Sequence, residues 1–283
     1  MRFEVEVAPM DLDLTLGCGQ TFRWRRNTNG LWSGVLGDQF ISLKQNGPRI
    51  VGEAAPGGRC VGESVLELLR AQDDIGRIQR TLRRDPVLAL GMKRMKGLRI
   101  VKLDEWECLI SYVLATYANI PRIMKMVDAL AVNYGQRIAR GAHAFPDRRR
   151  LSKSTTKELT KLGLGYRAGY IKELCELVDD QTLHSLSAAP YENLRRELIE
   201  LPGVGEKVAD CVSLFGFGRL ESFPIDLWIE RALARLYKKK GSYRALRAFA
   251  ARRFGEYAGY AQEYLYHNER MHAREQECAF SEE

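Results

Sequence analysis

The sequence has 283 residues, with 44 Lys and Arg against 36 Asp and Glu, which gives a formal net charge of +8. Hydrophobic residues make up 45% of it, a share that excludes intrinsic disorder over most of the chain and allows a sizeable core. No apolar run approaches the roughly 20 residues of a membrane span, and the N-terminus lacks the apolar stretch of a signal peptide. We therefore expect an intracellular protein with no membrane partner, and the basic excess favours a polyanionic ligand.

The first 52 residues predict an antiparallel β-sheet. Apolar and charged residues alternate with period two, as at Phe3, Val5 and Val7, which is typical of strands. Turn residues at Gly37-Asp38 and Asn46-Gly47 separate the later segments and indicate a meander. The predicted strand segments are residues 3–7, 21–24, 32–36, 39–45 and 49–51.

Helices predominate after a glycine-rich linker at residues 53–60, where the apolar period changes from two to 3.6. Asp104 and Glu107 have the spacing of a capping box, which predicts that a helix begins there. The basic run from Arg148 to Arg150 is interpreted as a solvated loop. Further amphipathic helices are predicted at about 120–134, 154–162, 167–178, 191–201, 204–215, 226–237, 243–254 and 258–271.

These patterns predict an α+β protein with two domains. Residues 1–95 form a small antiparallel β-rich N-terminal domain with terminal helices, and residues 96–283 form an all-helical domain. No internal repeat is present.

The cysteines and histidines are spaced too widely to suggest a metal or cofactor site. None of the six cysteines forms a C-x-x-C pair, and the four histidines show no ligand spacing. This argues against a zinc site, an iron–sulfur cluster and a disulfide scaffold. We therefore predict free thiols, no metal and no cofactor. The cysteines are Cys18, Cys60, Cys108, Cys175, Cys211 and Cys278.

The most informative segment joins two apolar helices through the tight turn Leu201-Pro-Gly-Val-Gly205. Gly203, Val204 and Gly205 expose backbone N–H groups at the positive end of the second helix, an arrangement that suits a phosphate. The spacing is not that of a Walker A loop, so nucleoside triphosphate binding is unsupported. A plain helix C-cap would explain one glycine but not the whole turn.

Lys207 and Asp226 stand at the openings of two successive predicted helices. A lysine acts as a nucleophile only as the neutral amine, and a helix N-terminus together with burial disfavours the ammonium. Asp226 follows 19 residues later (226 − 207) and has the position of an N-cap. An ordinary surface lysine and a plain helix cap are the alternatives, and the closeness of the two motifs favours a shared chemical role.

This pairing resembles the helix-hairpin-helix-GPD DNA glycosylases, specifically the 8-oxoguanine DNA glycosylase/AP lyases of the eukaryotic type. Other landmarks of that family occur in the same order and cover nearly the whole chain. They are Gly19-Gln-Thr-Phe-Arg-Trp24, Trp32-Ser-Gly-Val-Leu36, Asn119-Ile-Pro-Arg122, Lys161-Leu-Gly-Leu-Gly-Tyr-Arg-Ala168 and Ala258-Gly-Tyr-Ala-Gln262. The resemblance implies a helix-hairpin-helix glycosylase domain. It also implies a monomer that acts on double-stranded DNA containing oxidised guanine, in the cytoplasm of a prokaryote or the nucleus of a eukaryote.

The resemblance also implies roles for residues that would contact the damaged nucleotide. Lys207 is the expected nucleophile, and Asp226 is the expected carboxylate that stabilises positive charge on the sugar. The residues expected to read the damaged base are Gly19, through its carbonyl, and Gln262, with Cys211 and Tyr266 on the two faces of the ring. A β-bulge glycine and a buried core cysteine are the alternatives for Gly19 and Cys211.

On the opposite strand, the resemblance implies that Arg122 and Arg167 hold the unpaired cytosine and that Tyr166 is the aromatic wedge. Two positions depart from the family. Tyr117 stands where the family has an asparagine that contacts cytosine, and Trp228 replaces a histidine that contacts a phosphate.

Other functions remain as alternatives. A thymine-glycol lyase or an adenine glycosylase commonly carries four cysteines after the catalytic region, whereas this tail has only Cys278. An alkylpurine glycosylase lacks the hairpin lysine. A non-enzymatic DNA-binding protein would explain the hairpin but not Lys207, Asp226 and Gln262.

Overall fold

The N-terminal part of the chain forms a five-stranded antiparallel sheet with the order β1-β5-β4-β3-β2. The computed structural model describes residues 1–58 and 60–281, with side chains up to residue 273 and that of residue 275. Trp32 pairs with Leu43 and Asn46 with Arg49, as the predicted meander requires, and the first strand closes the sheet against the last. The strands are β1 (Arg2–Glu6), β2 (Arg25–Arg26), β3 (Trp32–Leu36), β4 (Gln39–Asn46) and β5 (Arg49–Ala55).

Two local predictions in this part are wrong. Residues 21–24 are not a strand: they form an irregular loop that buries Phe22 and Trp24, and the strand paired with β3 begins only at Arg25. The six-residue helix α1 (Leu12–Gly17) was not predicted. Asp11 caps it by accepting a hydrogen bond from the Leu14 N–H at 2.8 Å. Both errors arise because tertiary packing outweighs short local patterns.

Helices make up most of the chain from residue 61 onward, and the α+β class is confirmed. They are α2 (Val61–Leu68), α3 (Ile75–Leu82), α4 (Pro86–Met92), α5 (Glu105–Leu114), α6 (Ile120–Tyr134), α7 (Arg148–Leu151), α8 (Thr156–Leu159), α9 (Arg167–Leu177), α10 (Asp180–Ala188), α11 (Tyr191–Ile199), α12 (Glu206–Phe215), α13 (Leu227–Tyr237), α14 (Tyr243–Phe254) and α15 (Ala258–Ser281).

Several helix ends differ from the sequence prediction. Asp104 caps α5 as expected, accepting a hydrogen bond from the Glu107 N–H at 2.9 Å. The Glu107 carboxylate does not complete a capping box, because it lies 3.5 Å from the Arg23 guanidinium. Burial raises the pKa of Glu107 to about 7, and the Arg23 charge opposes that shift.

The basic run and the last helix also differ. Arg148 to Arg150 form one helical turn rather than a loop, because Asp147 caps it. The predicted helix at 154–162 divides into α8 and the π-helical turn Thr160–Leu164, where Gly163 has φ +92°. Helix α10 was not predicted, and α15 continues ten residues beyond the predicted end at residue 271.

One contiguous hydrophobic core includes residues of both predicted domains. Arg99 is fully buried and donates hydrogen bonds to the carbonyls of Arg70 (2.7 Å) and Pro9 (3.0 Å), so it fastens the β-rich part to the helical part. The boundary after residue 95 stays a prediction. Within the described part of the chain, no helix is both long and apolar enough to cross a membrane.

Candidate active site and DNA interface

The hairpin that the sequence singled out lies between α11 and α12. Gly203 adopts φ +76°, and a Cβ at this position would lie 2.7 Å from the Tyr170 ring, so both the backbone and the neighbouring side chain require glycine. Gly205 precedes the first turn of α12, which begins at Glu206. Lys207 therefore lies in that first turn, as predicted.

A buried carboxylate holds the hairpin helices to the segment that carries Asp226. Asp210 accepts hydrogen bonds from Tyr191 Oη (2.9 Å), Arg195 Nε (2.8 Å) and Tyr243 Oη (2.6 Å). The Tyr243 hydroxyl in turn accepts a hydrogen bond from the Ile225 N–H at 3.2 Å. Burial raises the pKa of Asp210, and the Arg195 cation opposes the shift. This network fixes the start of α12 relative to the residue before Asp226.

Lys207 and Asp226 line one cavity of about 380 Å³, a volume within the usual range of small-molecule sites. The Lys207 Nζ lies 5.3 Å from the centroid of the Tyr112 ring. Asp226 caps α13 by accepting a hydrogen bond from the Ile229 N–H at 2.9 Å. Burial raises the pKa of the Asp226 carboxyl, while the Ile229 N–H and the Lys207 ammonium oppose the shift. The cap and a possible charge-stabilising role coexist in this residue.

The predicted base-reading residues line the same cavity. Gly19 has φ +100°, and a Cβ there would lie 2.8 Å from Ile120 Cδ1. Gln262 is buried, and its Oε1 accepts no hydrogen bond from the described residues. Cys211 is buried, which raises its pKa to about 12, with Lys207 opposing the shift. Burial also raises the pKa of Tyr266 above its ordinary value. The cavity thus holds an acceptor whose partner the chain itself does not supply.

A second cleft, of about 620 Å³, brings the hairpin together with the predicted opposite-strand residues. Tyr117 is 93% exposed and adopts φ +49°, and Tyr166 is 56% exposed. Arg122 is exposed as well. The cleft residues on the page of the prediction are Tyr117, Arg122, Tyr166, Arg167, Gly203, Val204 and Gly205.

Arg167 differs from the other predicted opposite-strand residues because it is buried. Its guanidinium donates hydrogen bonds to the Thr116 carbonyl (3.1 Å from Nε) and to the Leu164 carbonyl (3.4 Å from Nη1). It also lies 4.5 Å from the centroid of the Tyr166 ring. A contact between Arg167 and a base requires these hydrogen bonds to change, so its predicted role stays a prediction.

The cavity wall includes residues that the sequence did not single out. Tyr112 contributes an aromatic face next to Lys207, and Arg270 lies 5.2 Å from the centroid of the Tyr266 ring. Glu263 is buried, and burial together with the Asp226 charge raises its pKa to about 8. Trp228, at the position that departs from the family, also lines the cavity. The only sequence signal for Glu263 was its place beside Gln262.

Comparison with known proteins identifies the family. The family model of the 8-oxoguanine DNA glycosylase N-terminal domain matches residues 2–109. The N-glycosylase/DNA lyase OGG1 of Arabidopsis thaliana is 31% identical over 281 residues, which cover 91% of this chain and 76% of the plant protein. The chain belongs to the 8-oxoguanine DNA glycosylase/lyase family.

Two solved structures of this family extend the likeness to the whole fold. MBOgg1, in complex with a low-affinity DNA ligand, is 30% identical with a TM-score of 0.90, and the match covers 96% of each chain. The Clostridium acetobutylicum 8-oxoguanine glycosylase/lyase, in complex with double-stranded DNA containing cytosine opposite 8-oxoguanine, is 28% identical with a TM-score of 0.89. That match covers 96% of this chain and 98% of the other. The predicted resemblance is confirmed.

Proposed function

We propose that this protein excises 8-oxoguanine from duplex DNA and then cleaves the strand at the resulting site. The observation that carries the proposal is the shared cavity, in which Lys207, Asp226 and the unpaired Gln262 Oε1 face one space. A base inside a duplex cannot reach such a cavity, so the damaged nucleotide is turned out of the helix into it. DNA complexes of two family members support duplex DNA as the partner.

In the proposed reaction the neutral amine of Lys207 bonds to the anomeric carbon of the sugar as the bond to the base breaks. The base leaves with the bonding electrons and takes up a proton. The amine loses its protons as the sugar ring opens, which gives an imine between Lys207 and the sugar. The Asp226 carboxylate stabilises the positive charge that develops on the sugar.

Strand cleavage follows from the imine. A proton leaves the carbon next to the imine, and the bond from the sugar to its 3′ phosphate breaks by β-elimination. Water then hydrolyses the imine, which releases the cleaved sugar and restores the Lys207 amine. The hairpin glycines Gly203 and Gly205, in the neighbouring cleft, would hold a phosphate of the same strand through their N–H groups.

For reading the base, the proposal uses Gly19 and Gln262. The carbonyl of Gly19 accepts the N7 proton that 8-oxoguanine has and guanine lacks. The Gln262 amide pairs with the Watson–Crick edge, while Cys211 and Tyr266 lie against the two faces of the ring. The buried, unsatisfied Oε1 of Gln262 supports this role, because an orphaned buried acceptor is unfavourable until a ligand donates to it.

Incubation with a duplex that contains one 8-oxoguanine, in the presence of borohydride, tests the nucleophile. We expect the wild-type protein to give a covalent protein–DNA adduct and Lys207→Gln to give none, because an amide cannot form an imine. Lys240→Gln, at an exposed lysine outside both cavities, is the matched control and should give the wild-type yield. Adduct formation by Lys207→Gln at the wild-type yield would show that another amine is the nucleophile.

Asp226→Asn tests the carboxylate in the same assay. The asparagine oxygen can still accept the Ile229 N–H, so the helix cap survives while the charge is lost. We expect single-turnover excision to slow by about 10²–10⁴-fold, the range for a positioned acid–base or electrostatic group. An unchanged rate would reduce Asp226 to a helix cap.

A further inference from the structure

Cys18, Glu263 and His267 come together in the wall of the base cavity, although they are far apart in sequence. One ligand atom from each lies within 4.8 Å of the other two. Cys18 and Glu263 are buried, and His267 is half-buried. Among the residues that the structure describes, this is the group of three whose side chains have both the spacing and the chemistry of metal ligands.

We propose that Cys18, Glu263 and His267 form a binding site for a Zn²⁺-like divalent cation. Sulfur, imidazole nitrogen and carboxylate oxygen are the three ligand types that zinc takes in proteins, and three such ligands leave a fourth position for water. A thiolate and a carboxylate balance the two positive charges of the ion. The complex is therefore neutral overall, which a buried site requires.

The surroundings of the cluster support this assignment. Gln20 Nε2 lies 2.8 Å from the Cys18 sulfur and also donates to the Arg99 carbonyl at 2.9 Å, so an outer hydrogen bond orients the sulfur ligand. The charged groups near Glu263 are Asp226 and Arg270, whose opposite charges offset each other. Glu263 Oε2 is buried and accepts no hydrogen bond from the described residues, which leaves it free for an ion.

The position of the site links it to base recognition. Cys18 precedes Gly19, and Glu263 follows Gln262, so a bound ion would connect the loop and the helix that carry the two proposed base-reading groups. It would also place positive charge near Asp226. We expect occupancy to slow excision for that reason. This consequence for the rate rests on the proposed function, whereas metal binding itself does not.

Metal binding to the full, chelator-treated chain tests the proposal. Titration with Zn²⁺ should show one ion per chain and a rise in the unfolding temperature, since a ligand of the native state stabilises it. Co²⁺ in place of Zn²⁺ should give the absorption of a thiolate-to-cobalt bond. We expect Cys18→Ser to lose this absorption, and Glu263→Gln and His267→Ala each to weaken Zn²⁺ binding by at least about tenfold. Glu263→Gln keeps the size of the side chain, so it guards against a result caused by misfolding.

Three further variants are the controls. Cys60→Ser and His184→Ala change an exposed cysteine and an exposed histidine and should leave the affinity for Zn²⁺ unchanged. Cys278→Ser does the same for a cysteine whose side chain lies outside the described residues. No saturable binding by the wild-type chain would overturn the proposal. Equal affinity in all variants, or loss of the cobalt absorption only in Cys278→Ser, would overturn it as well. A failure of the borohydride assay would leave the metal-binding result intact.

Discussion

Asp210 is the residue on which the geometry of the proposed active site most depends. It accepts three hydrogen bonds from side chains of α11 and α14 and from the tyrosine that holds the Ile225 N–H. We expect Asp210→Ala to lower the free energy of unfolding by about 3–5 kcal/mol, because it leaves the Arg195 charge without its buried partner. Denaturant unfolding measures this loss, and single-turnover excision should fall with it because Lys207 and Asp226 lose their common anchor.

The other carboxylate on Arg195 provides the control. Glu206 lies 3.2 Å from the same guanidinium, but its side chain is 46% exposed. An exposed ion pair contributes only about 0–1 kcal/mol, so Glu206→Ala should change stability little. Equal losses from the two alanine variants would mean that the network does not anchor the site.

Tyr117 sets a second prediction at the scale of a single residue. Its ring is almost wholly exposed in the second cleft, so it contributes little to packing, and a phenol can stack on any base because every base has a π-face. We expect 8-oxoguanine to be excised opposite cytosine and, with a reduced penalty, opposite the other three bases. Tyr117→Asn restores the amide of the family and should sharpen the preference for cytosine by about 1–3 kcal/mol.

Single-turnover excision opposite each of the four bases measures that preference. Tyr117→Phe is the matched control, because it keeps the stacking ring and should keep the broad preference. Asparagine tolerates the positive φ of this position at least as well as tyrosine, so Tyr117→Asn should fold normally. A strict preference for cytosine in the wild-type protein, unchanged in both variants, would assign the opposite-base reading to the arginines alone.

The hairpin is the structural element through which the chain is expected to hold the DNA backbone. Gly203→Ala places a Cβ at positive φ and against the Tyr170 ring. The left-handed conformation alone costs an L-residue about 1–2 kcal/mol, so we expect a loss of stability of at least that size. Because the turn must shift to make room, the affinity for duplex DNA should fall at fixed salt.

Gly169→Ala is the matched control for the hairpin variant. Gly169 lies inside α9, and a Cβ there would meet no atom within 4 Å. Alanine is favoured over glycine in a helix by about 0.5–1 kcal/mol, so this variant should be slightly more stable and bind DNA as the wild type does. If Gly203→Ala unfolds and binds DNA like Gly169→Ala, the turn is not the phosphate-binding element.

The sequence predicted those elements in which local signals agree. Helix α6 has the predicted bounds, with Asn119 as its N-cap, and the helices that carry Lys207 and Asp226 begin within two residues of their predicted starts. Residues 21–24 were mistaken for a strand because their alternating pattern results from packing in a loop. Helix α1 is too short to show a helical period.

The same distinction holds for the proposed site. Lys207 and Asp226 follow helix-start signals that are local in sequence, and the cavity brings them together as expected. The approach of Cys18 to Glu263 and His267 depends on how α15 packs against the loop before Gly19, and no spacing along the chain encodes it. The burial of Arg167 was likewise invisible, since an arginine in a motif gives no sign of whether its donors already have main-chain partners.

At the scale of the whole molecule, the charge of +8 predicts how the protein finds DNA. Phosphate contacts release counterions, so the logarithm of the binding constant falls linearly with the logarithm of the salt concentration. If the interface neutralises about four phosphates, raising the salt from about 50 to 200 mM should lower the affinity by about 10²-fold. A flat response over this range would argue against a DNA substrate.

The slope and the absolute affinity should separate the two parts of recognition. Phosphate contacts carry no sequence information, whereas contacts to the base do. We therefore expect duplexes with and without 8-oxoguanine to give the same salt slope, with the damaged duplex bound more tightly at every concentration. Gln262→Ala, measured by the same titration, should remove part of that offset and leave both slopes unchanged, because it alters the base cavity and not the hairpin. A change of slope in Gln262→Ala, or an unchanged offset, would contradict the assignment of base reading to the first cavity and phosphate binding to the second.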